Sequence, residues 1–206
     1  VLLHQLEKRH KQRTLIEFGS GPGFLCALAE RRGWYGAIHG IEASGLARKH
    51  AQSLKLRIAE FRESYNGHSL FRHAIATEVL EHVEDPKATL EHWHSALLPG
   101  GYLALSVPND GGGGRGNPLQ RLFWLRSTPW LSTIHLNYWC PASLKALVES
   151  AGFEVIWQRT SFPVELLLVL PIPRKWAWKL SRVWPAPPLL WRFGIGRHCL
   201  LVARKP

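Results

Sequence analysis

The sequence predicts an α/β domain of the doubly wound kind, a mainly parallel sheet with helices on both faces. Three observations carry that expectation. Short apolar runs alternate with helical patterns from Thr14 onward, and such alternation builds a parallel sheet covered on both sides. The first run ends in Gly19-Ser20-Gly21-Pro22-Gly23, a glycine-rich turn from strand to helix. Glu42 closes the second run, about twenty residues on, where an acidic residue can accept from ribose hydroxyls.

The elements follow in order. Thr14–Phe18 reads as the first strand and Phe24–Arg32 as the helix after its turn. Gly36–Ile41 is the second strand, and Ser44–Ser53 a helix with Ser44 as N-cap. Leu56–Ile58 is a short third strand and Phe71–Thr77 the fourth. Pro86–Leu97 is a helix with proline in its first turn. Pro99-Gly100-Gly101 is a turn before the strand Tyr102–Val107. Gly111–Gly114 then opens an irregular, Trp-containing stretch. Pro141–Ser150 is a helix stopped by Gly152, Phe153–Trp157 a strand, and Cys199–Ala203 the last strand. The expected organisation is a single domain over 1–206. It comprises a cofactor-binding core at 14–110, a substrate-side loop at 111–140 and a basic Trp-rich insertion at 161–196.

The chain has 206 residues, 46% hydrophobic and 20% charged, enough for one buried core. It carries 26 Lys and Arg against 15 Asp and Glu, a net charge of +11, which points to an anionic partner. Cys26, Cys140 and Cys199 are far apart and odd in number, which argues against a zinc site or disulfide framework and for a reducing cytosol. The longest apolar run, Val164–Ile172, contains Glu165 and Pro171 and falls short of the ~20 residues a membrane span needs. With no Met in the chain, the expectation is a fragment or processed product that lacks an N-terminal helix.

Glycine suits the turn after the first strand because the chain bends sharply and a Cβ would bar a ligand from the backbone. The helix N-terminus adds N–H donors for a carboxylate or phosphate. A dinucleotide fingerprint would read G-x-G-x-x-G. Here the spacing is G-x-G-x-G, with Phe24 at the expected third glycine and Glu17 two residues before the first.

Three further segments make a family resemblance specific. Thr77-Glu78-Val79-Leu80-Glu81-His82-Val83-Glu84-Asp85-Pro86 resembles the SEVLEHVxDP segment of class I S-adenosylmethionine-dependent methyltransferases. Leu97–Leu103 resembles their LKPGGxL turn, and Pro141–Val155 their TPESLxxLLEEAGFxV unit. With the glycine turn these cover most of 14–157 in the family's order, and the chain is similar to the broad group containing the ubiquinone-biosynthesis O-methyltransferases. The resemblance implies a Rossmann-like, seven-stranded sheet of order 3-2-1-4-5-7-6 with the last strand antiparallel. It also implies S-adenosylmethionine as cofactor. Gly19, Ser20, Gly21 and Gly23 would line its methionine end with Glu17 near the amino group. Glu42 would hold the ribose, Thr77 would lie beside the sulfonium, and Glu60, with Glu63 close behind, would serve the adenine. The chain departs from the family at Arg72, where relatives carry an acidic residue.

Glu78, Glu81 and His82 stand at i, i+3 and i+4, so one helical turn would bring them to a single face. Two carboxylates and an imidazole suit a divalent ion, with oxygen-rich ligation favouring Mg²⁺ or Mn²⁺. The E-x-x-E-H pattern is similar to that of metal-dependent small-RNA 2′-O-methyltransferases and some ubiquinone-pathway enzymes. Their further downstream histidine has its counterpart in His135. Without a metal, His82 is the candidate general base. The remaining histidines, His92 and His94 included, read as surface residues.

Most of the ten tryptophans fall between Trp124 and Trp191. In Arg174–Trp184, Trp176, Leu180, Val183 and Trp184 share one helical face, and Lys175, Lys179 and Arg182 the other. That pattern describes a helix lying in a membrane interface, or equally one packed on the core. The expected activity is therefore methyl transfer to a hydroxyl of an apolar or membrane-associated small molecule, in the cytoplasm and peripherally at the inner membrane face. Methylation of RNA ribose is the alternative enzyme, and nucleic acid is the less favoured partner because basic and aromatic residues do not alternate as a stacking platform. A non-catalytic cofactor-binding or membrane-scaffold protein is the alternative outside enzymes.

Overall fold

Alternation along the strands sorts side chains to two sides of one sheet. β1 (Thr14–Phe18) sends Leu15 to one face and Ile16 and Phe18 to the other. These residues are seen in a computed structural model that describes 14–59, 70–109, 135–161, 196 and 198–206. β4 (Phe71–Thr77) alternates likewise, with Ala74 and Ala76 on the Phe18 face and Ile75 on the Leu15 face. Such period-two sorting follows from the pleat.

β2 (Ala37–Ile41), β3 (Ile58–Ala59), β5 (Leu97–Pro108), β6 (Glu154–Thr160) and β7 (His198–Arg204) complete the sheet. Its order is β3-β2-β1-β4-β5-β7-β6. The first five strands are parallel, and β7 runs antiparallel to both β5 and β6. This is the order the family resemblance implies. The third strand is two residues long and starts later than expected, because Leu56 is buried against Ala51 instead of pairing.

Among the described residues four helices cover the faces: α1 (Phe24–Arg31), α2 (Gly45–Ser53), α3 (Pro86–Ala96) and α4 (Pro141–Ser150). Their starts are chemically marked. Ser44 Oγ accepts from the Ala47 N–H, and the Asp85 carboxylate accepts from the Ala88 N–H ahead of Pro86. Each such cap is worth ~1 kcal/mol. α3 and α4 bury Leu90, Trp93, Leu144 and Val148 against the Phe18 face, and Trp93 stacks on Phe18 with ring centroids 4.9 Å apart. α1 buries Cys26 and Ala29 on the opposite face with Leu15 and Ile75.

One departure from the sequence reading changes an element. Pro99-Gly100-Gly101 lies within β5 rather than before it. Phe71 pairs with Leu97 and His73 with Tyr102, so the intervening residues of β5 bulge out around Gly100 at φ 71°. Arg72 Nη1 donates to the Pro99 carbonyl at 2.9 Å, and its N–H to Thr14 Oγ1. Arg72 therefore serves the amino end of the sheet, opposite the edge where ligands bind. Its departure from the family pattern does not touch the site. The histidines are not uniformly on the surface either. His73 is buried between Tyr35 and Tyr102 because β4 turns it into the core. The basic Trp-rich insertion, Gly111–Gly114 and most of the substrate-side loop lie outside the described residues.

Candidate functional site

β1, β2 and β4 end together at Phe18, Ile41 and Thr77, the edge of a parallel sheet where ligands bind. The glycine turn leaves β1 there, and the Ser20 N–H donates to the Ile41 carbonyl at 2.9 Å. Gly19 has φ 68°, and a Cβ on it would collide with the Val79 side chain. Gly21 has φ 53°, and nothing lies within 4 Å of where its Cβ would be. The first glycine is required by packing, whereas the second leaves open space beside the backbone. Gly23, also left-handed, caps α1.

Glu17 occupies the Leu15 face of β1, where alternation calls for an apolar side chain. It is 6% exposed, and burial raises its carboxyl to about 7. Cys26 Sγ, 3.0 Å from Oε2, opposes that rise, and the charge of Glu42 adds to it. Burial and the neighbouring Glu17 push the Cys26 thiol well above its ordinary range. Among the described residues, then, the side chains acting on Glu17 are a thiol and a carboxylate, neither of them a cation. Ser20 is equally buried, and its Oγ has no hydrogen-bond partner among them. A buried carboxyl without a cation, beside an orphaned hydroxyl, fits a ligand bringing its own ammonium and carboxylate.

Glu42 follows β2 and is held on both sides. Oε2 accepts from the Gly21 N–H at 2.6 Å and Oε1 from the Ser44 N–H at 2.7 Å. Arg48, on α2, donates from Nη1 to the carbonyls of Glu42 and Ala43. These contacts fix the loop. Each carboxylate oxygen has a second lone pair, so a vicinal diol is a fitting partner.

A cleft of ≈ 900 Å³ runs along this edge, and Phe18, Gly19, Ile41, Glu42, Glu78, Val79, His82 and Trp93 are among the residues that line it. Of the residues singled out from sequence, Gly19, Glu42, Glu78 and His82 line it. Glu17, Ser20, Gly21 and Gly23 belong to the strand end and turn that border it. Thr77 is exposed at the end of β4 without lining the cleft. Glu60 and Glu63 lie outside the described residues. His92 also lines the cleft, and burial lowers its imidazole below the usual range.

The carboxylate pair does not assemble as expected. Glu78 stands at φ 55°, and only Leu80–His82 makes a turn, of the tighter 3₁₀ kind. The i, i+3, i+4 relation of an α-helix is thereby lost. Glu78 instead accepts from Ser106 Oγ at 2.9 Å and lies 3.8 Å from His198 Nε2. Donor atoms of Glu81, His82 and His135 do converge, all within 4.8 Å of one another. Glu81 is fully buried, and His82 Nε2 is 3.8 Å from its Oε1. His135 meets the His82 ring edge-on at 5.0 Å.

Residues that sequence reasoning passed over hold this group together. The N–H groups of Leu136 and Asn137 donate to the Glu81 carbonyl, and Asn137 Nδ2 donates to the Val83 carbonyl at 2.6 Å. Ser106, His198 and Arg48 were likewise missed, and so was the Cys26–Glu17 contact. Only the placement of Asn137 two residues after His135 offered a signal.

A family model described as "Methyltransferase domain" matches residues 1–158. The ubiquinone biosynthesis O-methyltransferase of Aeromonas salmonicida is 28% identical over 157 residues, which are 69% of this chain and 63% of that enzyme. This chain thus spans under two thirds of that relative's length. Among solved structures, an S-adenosylmethionine-dependent methyltransferase from Mesorhizobium loti superposes with TM-score 0.65 at 17% identity, covering 98% of this chain and 96% of that one. Phosphoethanolamine N-methyltransferase 2 of Haemonchus contortus, solved with S-adenosyl-L-methionine, gives TM-score 0.66 at 14% identity, covering all of this chain and 51% of that one. These two likenesses are of fold.

Proposed function

The chain belongs to the methyltransferase-domain family, and from that premise we propose that it transfers a methyl group from S-adenosylmethionine to a hydroxyl oxygen of an apolar or membrane-associated small molecule. One observation carries the cofactor: among the described residues buried Glu17 meets no cation and the buried Ser20 hydroxyl no partner, beside the doubly held carboxylate of Glu42. When bound, S-adenosylmethionine supplies a methyl group on a sulfonium, which needs an aligned nucleophile and little else. The Ser20 hydroxyl would receive the carboxylate end, Glu17 the ammonium and Glu42 the ribose. His82 at the cleft takes the proton that the acceptor hydroxyl loses, at Nδ1, with Nε2 turned to buried Glu81.

Oxygen as the acceptor atom rests on this proton-accepting pair and on the name of the Aeromonas relative. A second reading adds a metal, favoured by the convergence of Glu81, His82 and His135. With Glu78 elsewhere, the donors are two imidazoles and one carboxylate. That nitrogen-rich set moves the preference from Mg²⁺ toward Mn²⁺, Fe²⁺ or Zn²⁺. An ion held there would lower the pKa of a bound hydroxyl.

The test is turnover with methyl-labelled cofactor in a lysate. Label is expected in organic-extractable small molecules; label in RNA supports ribose methylation instead, and no label at all points to a non-catalytic protein. On the metal reading, chelator abolishes turnover, Mn²⁺ or Zn²⁺ restores it, and Glu81→Ala loses activity while still binding cofactor. Full activity in excess chelator leaves His82 as base and removes the metal.

Among the described residues no helix is long and apolar enough to cross a membrane. Peripheral attachment is proposed from the sequence of the insertion alone, where Arg174, Lys175, Lys179, Arg182 and Arg192 mingle with tryptophan. Each basic residue near an anionic surface is worth about 1 kcal/mol. Binding to anionic vesicles that weakens as salt rises is the expected result. Indifference to such vesicles at low salt contradicts it.

A further inference from the structure

We propose that Cys26 is a positioning residue for cofactor capture: its thiol holds Oε2 of Glu17, leaves Oε1 for the cofactor's ammonium, and sets the pH at which capture begins. This rests on the reading of Glu17 given above. The contact is specific to how these elements meet. β1 delivers Glu17 beneath α1, and the first turn of α1 delivers Cys26, 2% exposed, so that Sγ lies 3.0 Å from Oε2. In such a site water cannot easily replace a lost donor, and a buried carboxylate that loses one is costly.

The groups around Glu17 sharpen the point. From the end of β2 comes Glu42, and from α1 come Cys26 and, acting on its thiol, Glu30. From β4 the same face presents His73, packed against Tyr35 and Tyr102 of β5. The Glu42 carboxylate disfavours ionisation of Glu17, whereas the thiol and the backbone N–H of Cys26 favour it by donating to the charged form. The thiol keeps its proton throughout the working range, because burial and Glu17 both oppose the thiolate. It is a permanent donor.

The sign follows from linkage. A carboxyl that ionises near 7 must release a proton before it can hold an ammonium at lower pH, so affinity climbs as pH rises and levels off above that point. Removing the donor moves the climb upward, by about one pH unit if the bond is worth what such bonds to charged groups are worth.

The experiment is calorimetric titration with the demethylated cofactor, S-adenosylhomocysteine, from pH 5.5 to 8.5, on the whole chain. The wild type is expected to show an acid limb ending near neutrality, and Glu17→Gln weak binding without that limb. In Cys26→Ala the limb should move up by about one unit, roughly ten-fold weaker binding at pH 6, and Cys26→Ser should restore it. Cys26→Val, closer in volume, serves as the donor-free variant if the Ala chain does not fold. An unmoved limb in both donor-free variants, whatever their affinity, overturns the proposal and leaves Cys26 a packing residue. Absence of binding by the wild type at every pH overturns the methyl-transfer reading itself.

Discussion

Glu42→Ala is expected to weaken S-adenosylmethionine binding by about 10²- to 10³-fold. The carboxylate does two things, and Ala removes both. It would accept from both ribose hydroxyls, each hydrogen bond to a charged group being worth roughly 1.5–3 kcal/mol. It also ties the Gly21 N–H to the Ser44 N–H, joining the glycine turn to the start of α2. Arg48 would still hold the carbonyls of residues 42 and 43, so the loop keeps its course and the fold survives. Affinity measured well below the melting temperature isolates the binding loss. A change under ten-fold would mean that Glu42 is a loop tie and that the ribose lies elsewhere.

Gly19→Ala is expected to damage the fold as well as the site. Its left-handed φ of 68° costs a residue with a Cβ roughly 1–2 kcal/mol. The new methyl also lands on the Val79 side chain, and overpacking of that kind costs about 1–3 kcal/mol more. Melting should fall by roughly 5–15 °C for a chain of this size, with cofactor binding lost alongside. The two causes separate in a double variant. Adding Val79→Ala should recover the packing part and leave the backbone part. No recovery would mean that the turn itself, and not its contact with Val79, carries the whole loss.

The parts of this protein written in local chemistry were legible from sequence. The glycine turn, Glu42, the Ser44 cap and the helix opening at Pro86 each depend on residues within one or two turns of chain, and each stands where the spacing put it. What depends on register between distant strands was not. Glu17 meets Cys26 only because β1 and α1 pack face to face, and Glu78 meets Ser106 and His198 only because β4, β5 and β7 end side by side. The placement of Glu78, Glu81 and His82 failed for a different reason. Helical spacing assumes helical backbone, and one left-handed residue at Glu78 sends its carboxylate away from the other two. The same limit hid the bulge in β5, since Pro99-Gly100-Gly101 signals a bend without saying whether the strand resumes its pairing on the near side.

On the reading proposed above, this edge of the sheet holds an adenosyl amino acid rather than a dinucleotide. Calorimetry of the whole chain with S-adenosylmethionine, S-adenosylhomocysteine and NAD in turn tests it most directly. The buried Glu17 and Ser20 beside Glu42 predict that both adenosyl compounds bind, one per chain, and that NAD does not compete with them. NAD binding more tightly than either would contradict the assignment.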